Sequence, residues 1–164
     1  MARKSAFPPV VTPDTRVLVL GSLPGEASLA AQRYYAHPQN RFWHLAGAVI
    51  GREDLPALDY PARLAALLAG GIGLWDTVAS ATRQGSLDTA IQDARPAALG
   101  DLVATLPRLR AIGFNGGTAA RIGRKLLDDG AIALIDLPSS SPAYAALPFA
   151  DKRARWLALR EFLD

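Results

Sequence analysis

The sequence predicts an α/β domain built on a central four-stranded, mainly parallel sheet. Three observations carry this expectation. Four short runs rich in Val, Ile, Leu and aromatic residues recur at 16–20, 71–75, 110–114 and 131–136, each bounded by turn residues and too short for a helix. Stretches with helical spacing lie between them, the alternation that favours parallel strands joined by crossovers. Half of the 164 residues are hydrophobic and a fifth are charged, enough apolar surface for one buried core and too much for a disordered chain.

In chain order, an N-terminal arm over residues 1–14 precedes the first strand, Arg16-Val-Leu-Val-Leu20, which stops at Gly21. The first helix reads over 40–50, with apolar positions at 42, 45, 46, 49 and 50, Asn40 as N-cap and Gly51 as its stop. Asp59 and Pro61 mark the start of the next, 61–69. Further helices are expected at 96–106, at 117–128 beginning near Thr118, and at 152–163 behind an Asp151 cap. With no repeat, linker or low-complexity tract, residues 1–164 read as a single domain.

Composition excludes several chemistries. The absence of cysteine removes disulfides, iron–sulfur clusters, thiolate zinc sites and cysteine nucleophiles. The two histidines, His37 and His44, have no carboxylates clustered with them, so neither a metal site nor a cofactor is expected. A net charge of +3 permits a polyanionic partner without requiring one. The N-terminus lacks an apolar targeting core and no run approaches a membrane span, so the expectation is a soluble cytoplasmic monomer with no membrane partner.

The informative residues follow the strands. Strand one runs into Gly21-Ser-Leu-Pro-Gly25, strand two into Asp76-Thr77, strand three into Asn115-Gly-Gly117 and strand four into Leu137-Pro-Ser-Ser-Ser-Pro142. Each alone reads as turn punctuation. In an open parallel sheet all four ends share one edge, where ligands bind, so together they make a site. Gly113-Phe-Asn-Gly-Gly117 is not a dinucleotide fingerprint, no P-loop exists, and in Gly21-Ser-Leu-Pro-Gly25 the serine comes one position too early for a nucleophile elbow. A serine hydrolase assembled from Ser139, His37 and Asp76 remains open at this level. So does a non-catalytic nucleic-acid-binding module. The densest segment is Tyr34-Tyr-Ala-His-Pro-Gln-Asn-Arg-Phe-Trp43. Trp43 reads as core, whereas Tyr35, in a polar loop beside the crevice, suits stacking on a planar ligand.

The set Gly21-Ser-Leu-Pro-Gly25, Tyr35-Ala-His-Pro-Gln-Asn-Arg-Phe-Trp43, Trp75-Asp-Thr-Val-Ala-Ser80 with Gly85-Ser-Leu-Asp88, Phe114-Asn-Gly116 and Leu137-Pro-Ser-Ser-Ser-Pro142 resembles the hypoxanthine-DNA glycosylases of the uracil-DNA glycosylase superfamily, over residues 16–163. The resemblance implies a three-layer α/β/α sandwich and a monofunctional DNA repair enzyme that flips a deaminated base, hypoxanthine or else uracil or xanthine, out of DNA and hydrolyses its N-glycosidic bond. Two positions depart from the wider superfamily. Leu23 stands where mismatch-specific uracil glycosylases carry a catalytic Asn, and Leu137 where the superfamily usually carries His or Asn. Both departures fit the hypoxanthine branch, and the resemblance implies that Asn40, the Asn of its N-x-F-W segment, takes over catalysis.

Under that resemblance the catalytic candidates are Asn40, Asn115 and Asp76, with Asn40 and Asn115 interchangeable between positioning water and reading the base. Gly21, Ser22, Leu23, Pro24, Gly25, Tyr35 and Asn115 are the expected base-binding set. Ser139, Ser140, Ser141, Pro142 and Tyr144 are expected to grip and wedge the DNA, with Arg41, Lys152, Arg153 and Arg155 on phosphates. An Asn amide offers a donor and an acceptor, which complements the keto oxygen and ring N–H of hypoxanthine but not adenine. Uracil shows the same edge, so pocket width must separate the two.

Overall fold

Val17 and Val19 point to one side of the first buried strand and Leu18 and Leu20 to the other, and each side meets its own core. A computed structural model describes residues 2–127 and 130–164. In chain order the elements are β1 (Arg3–Ser5), β2 (Val17–Gly21), α1 (Glu26–Ala31), α2 (Phe42–Ile50), α3 (Tyr60–Ala69), β3 (Ile72–Asp76), β4 (Val78–Thr82), β5 (Gln92–Pro96), α4 (Leu99–Ala104), β6 (Ala111–Asn115), α5 (Gly117–Leu126), β7 (Ala133–Leu137) and α6 (Phe149–Trp156), the last running into a 3-10 turn at Leu157–Phe162. Strands β3-β2-β6-β7 form a wholly parallel four-stranded sheet. Helices cover both faces: Leu45 of α2, Leu67 of α3 and Trp156 of α6 join Val17 and Val19, while Leu99 of α4 and Ala119 of α5 join Leu18 and Leu20. The expected three-layer α/β/α arrangement is therefore observed.

The four strands lie within two residues of their expected bounds: β2 and β6 are buried along their length, and β3 nearly so, which reads as an uninterrupted apolar run, whereas β7 is only partly buried and starts two residues later than expected. Helix bounds moved more. α2 starts at Phe42, and Arg41 occupies the cap position; the Asn40 side chain still caps from one residue earlier, its Oδ1 accepting from Phe42 N at 2.9 Å. α3 is capped as expected, Asp59 accepting from Ala62 N at 2.9 Å. α4 is shorter than 96–106, and α5 starts at Gly117; residue 128, at its expected end, lies outside the described residues. α6 begins at Phe149 behind Pro148, which places Asp151 in its first turn instead of at the cap.

A second, antiparallel sheet, β1-β4-β5, has no counterpart in the expectation. Only Thr77 separates β3 from β4, so the chain passes almost straight from one sheet into the other. The segment 1–14 supplies β1, and Val10 bridges Leu74 of β3. Phe7 O accepts from Trp75 Nε1 at 2.9 Å and Pro8 O from the Tyr34 hydroxyl at 3.0 Å, which fixes the arm against the loop that precedes α2. Among the described residues no helix is long and apolar enough to cross a membrane.

Candidate active site

Parallel register sets the site. Gly21 at the end of β2 is level with Asp76 at the end of β3, and Asn115 at the end of β6 is level with Leu137 at the end of β7. A cavity of about 480 Å³ opens over this edge. Its lining includes Gly21, Ser22, Leu23, Pro24 and Gly25, Tyr35 and Asn40, Asp76, Asn115, and Ser139, Ser140, Ser141, Pro142 and Tyr144. Of the residues expected to act in catalysis, base binding or DNA binding, the cations Arg41, Lys152, Arg153 and Arg155 lie outside it.

The floor is polar and unsatisfied. Asp76 is 4% exposed and its Oδ2 has no hydrogen-bond partner; the Tyr35 hydroxyl is buried and equally unpartnered. Burial raises the Asp76 carboxyl to about 7, Asp88 pushes it the same way and Arg83 opposes both. Burial, then Asp76, raise the Tyr35 phenol well above its ordinary value against the opposing Asn115 amide nearby, which makes no hydrogen bond of full geometry to it, so it stays a protonated donor. Gly21 permits this convergence: a β-carbon there would stand 2.8 Å from Asp76 Oδ1 and 3.3 Å from Tyr35 Oη. Tyr35 has a left-handed backbone, φ 53°, and stacks on Phe42 with ring centres 3.9 Å apart. Such a backbone is strained for a non-glycine residue and recurs at functional sites. One face of the ring is thus supported by core.

The serine loop is tied to the sheet through Asn115, whose Nδ2 donates to Ser140 Oγ and whose Oδ1 accepts from Ser140 N, both at 2.9 Å. One N–H and one lone pair remain on that amide. Ser140 O accepts from Arg41 N at 3.0 Å, joining the loop to the start of α2. Ser139 Oγ accepts from Ser141 N, and Ser141 Oγ from Ala143 N, so both hydroxyls shape local turns and keep their own protons to donate. With its Oδ1 on Phe42 N, Asn40 retains a second lone pair and its amide hydrogens.

The predicted cations sit differently. The Arg41 guanidinium stacks over Phe149 at 4.3 Å. Lys152 is 5% exposed and donates to Tyr144 O at 2.6 Å, its ammonium facing the ring of the same residue, so it holds the loop from beneath. Arg153 pairs with Glu53 at 3.3 Å. His37 Nδ1 accepts from Gln39 N, and Asp76 has no histidine partner, so the serine hydrolase triad does not assemble. The segment 86–89 also lines the cavity, with Leu87 57% exposed at its mouth. Gly85-Ser-Leu-Asp88 was visible as a motif, but nothing local showed that it faces the strand ends. Ser22 Oγ donates to Asp88 Oδ1 at 2.5 Å and joins the two loops.

Residues 8–161 match the uracil DNA glycosylase superfamily. The chain belongs to that superfamily. It is 44% identical over 114 residues to a hypoxanthine DNA glycosylase of Methanosarcina barkeri (strain Fusaro / DSM 804), covering 70% of this chain and 72% of the relative. A hypoxanthine DNA glycosylase of Methanosarcina acetivorans is 40% identical over 140 residues, covering 85% and 87%. The fold superposes with a TM-score of 0.84 on the solution NMR structure of a candidate uracil DNA glycosylase from Methanosarcina acetivorans, at 35% identity and covering 98% of this chain and 99% of that one. In this superfamily member Leu137 packs in the core, against the open space at Gly113, and leaves no polar group at its position. Leu23 lines the cavity and its carbonyl is directed to Arg83.

Proposed function

We propose that this DNA glycosylase removes hypoxanthine from DNA, drawing the extruded base into the cavity over the strand ends and leaving an abasic site. The observation that carries the reading is the pair of buried, unpartnered groups on the cavity floor, Asp76 Oδ2 and Tyr35 Oη. Buried polar atoms without partners are rare in folded proteins, and a polar ligand edge resolves them. Ionised Asp76 accepts from the ring N–H that deamination creates, and the Tyr35 hydroxyl donates to the keto oxygen. Adenine presents a lone pair and an amino group in those places, which leaves both protein groups opposed or unpaired at about 1–3 kcal/mol each. A volume of about 480 Å³ accommodates a bicyclic purine.

Hydrolysis forms a bond from water oxygen to C1′ and breaks the bond from C1′ to the base, which departs with a proton that water supplies. Asn40 orients that water through its remaining lone pair and amide hydrogens. The sugar passes through an oxocarbenium-like state that the DNA phosphates stabilise. Extrusion costs a few kcal/mol. Ser139 and Ser141 donate to phosphate oxygens, Arg41 adds a charge, and the exposed ring of Tyr144 fills the gap left in the stack. The protein acts as a monomer on duplex DNA.

The test is excision from duplex oligonucleotides carrying hypoxanthine, uracil, xanthine or only normal bases, with abasic sites revealed by alkali. Hypoxanthine release that persists in chelator and exceeds release of the other bases is expected. Binding without any abasic product would overturn the reading in favour of a non-catalytic DNA-binding domain; faster release of uracil would overturn the choice of base.

A further inference from the structure

Arg83 lies immediately beyond β4 and is 1% exposed, among the largest fully buried side chains in the molecule. Its guanidinium donates through Nε to Gly85 O at 3.0 Å, through Nη1 to Leu23 O at 3.4 Å and through Nη2 to Pro24 O. All three acceptors are backbone carbonyls, and among the described residues no carboxylate forms an ion pair with it. A buried guanidinium without a carboxylate at contact distance is costly, and an apolar side chain of similar volume would fill the space without that cost. The charge therefore calls for a use.

Its acceptors belong to the two loops that form one wall of the cavity. Leu23 and Pro24 lie in the 21–25 loop, and Gly85 opens the 85–88 loop. Neutral contacts join the same loops, Glu26 N donating to Ser86 Oγ at 2.8 Å and Gly25 packing so closely that a β-carbon would stand 3.2 Å from Ser86 Oγ. Arg83 itself does not line the cavity, while Pro24 and Gly25 do. Because a trans peptide directs its N–H opposite its carbonyl, holding Pro24 O on Arg83 turns the Gly25 N–H to the other side of the loop.

We propose, on the glycosylase reading above, that Arg83 is a positioning residue whose buried guanidinium locks the 21–25 loop to the 85–88 loop and so holds the cavity wall in shape for the base. Lys4 of β1 adds to the same tie, donating to the Gly85 carbonyl at 2.8 Å and facing Glu26 at 3.5 Å. The Arg83 charge also opposes burial and Asp88 at the Asp76 carboxyl.

The experiment compares wild type, Arg83→Lys and Arg83→Gln by single-turnover excision over a range of protein concentrations, and by amide hydrogen exchange in DNA-free protein. Lysine reaches fewer of the three carbonyls, so Arg83→Lys is expected to lose about tenfold or more in maximal rate with the half-saturating concentration little changed. Exchange at Leu23 and Gly25 is expected to rise about tenfold or more, while α2 and the four-stranded sheet stay as protected as in wild type. Arg83→Gln is expected to show the same pattern, more strongly. A wild-type rate, or unchanged exchange in the 21–25 loop, in Arg83→Lys overturns the proposal whether or not Arg83→Gln folds. Wild-type protein that excises no base from the panel would refute the glycosylase reading instead, leaving loop exchange in DNA-free protein to report on Arg83 alone.

Discussion

The floor and the rim of the cavity are opposites. On the floor, Asp76 Oδ2 and Tyr35 Oη are polar, buried and unpartnered. On the rim, Leu87 and Tyr144 are apolar, large and exposed, at 57% and 43%. Each is unfavourable where it stands: the floor lacks hydrogen bonds and the rim wets hydrophobic surface. A flipped nucleotide relieves both, since its polar edge reaches the floor while the rim enters the space it vacated. The contrast assigns selectivity and chemistry to the floor and the work of opening the duplex to the rim.

The strongest way to break this division is Asn40→Ala. Loss of one positioned polar group at the reacting centre is expected to cut single-turnover excision about 10²–10³-fold while DNA affinity, a property of the rim and surface, stays within about threefold. Equal losses in binding and rate would put Asn40 on the DNA-gripping side instead. Helix α2 should survive the change, because a lost cap costs only about 1 kcal/mol.

Asp76→Asn tests the floor through stability. A carboxyl whose folded midpoint is raised to about 7 favours the folded state fully below its unfolded midpoint, and that favour is lost as pH rises toward and through 7. The wild-type protein is therefore expected to lose up to about 1.4 kcal/mol per pH unit across that window from this group, and the Asn variant to escape the loss. Melting temperatures measured at pH 4.5 and 7.5 should show Asp76→Asn gaining on wild type at the higher value. Selectivity should follow the same titration in wild type: below about pH 6 a protonated Asp76 donates to the adenine ring nitrogen, and discrimination against adenine narrows.

A smaller effect is expected from Tyr35→Phe, which removes a buried hydroxyl that has no partner in the free protein. Stability should be unchanged or rise by about 1 kcal/mol, while hypoxanthine excision falls several-fold because the keto oxygen loses its donor. A stability loss of similar size would mean that the hydroxyl is already satisfied, and the floor would no longer differ from an ordinary core.

How much of this was legible depended on whether a residue's environment is set locally. β2 and β6 are buried along all five residues, so their apolar runs declared them, and parallel topology then placed Gly21, Asp76 and Asn115 on one edge. β5, Gln92–Pro96, is exposed throughout, charged and ended by proline, and pairs with β4 through contacts that no local pattern records. Arg83 and Lys152 carry side chains that usually face solvent; only the fold shows one buried under two loops and the other beneath Tyr144. Asn115 was legible as a site residue, yet its double hydrogen bond to Ser140 depends on a loop 25 residues away.

The rim is tested most sensitively by Tyr144→Ala, where the expected effect is the smallest and depends on the substrate. Lys152 donates to the Tyr144 backbone carbonyl, so truncating the side chain leaves that anchor in place while it removes the half-exposed ring and the ring's contact with the Lys152 ammonium. The ring acts by offsetting the few kcal/mol needed to extrude a paired base, a cost that is lower at a mismatch. Excision of hypoxanthine opposite cytosine, its stable partner, should therefore slow about tenfold, and opposite a poorly pairing base only about two- to threefold. Equal slowing in both contexts would show that Tyr144 contacts the bound base directly, which would move it from the rim to the floor. Leu87→Ala, on the other exposed loop that lines the cavity, provides the matching control: if both rim residues serve the opened duplex, its losses should show the same dependence on the opposing base.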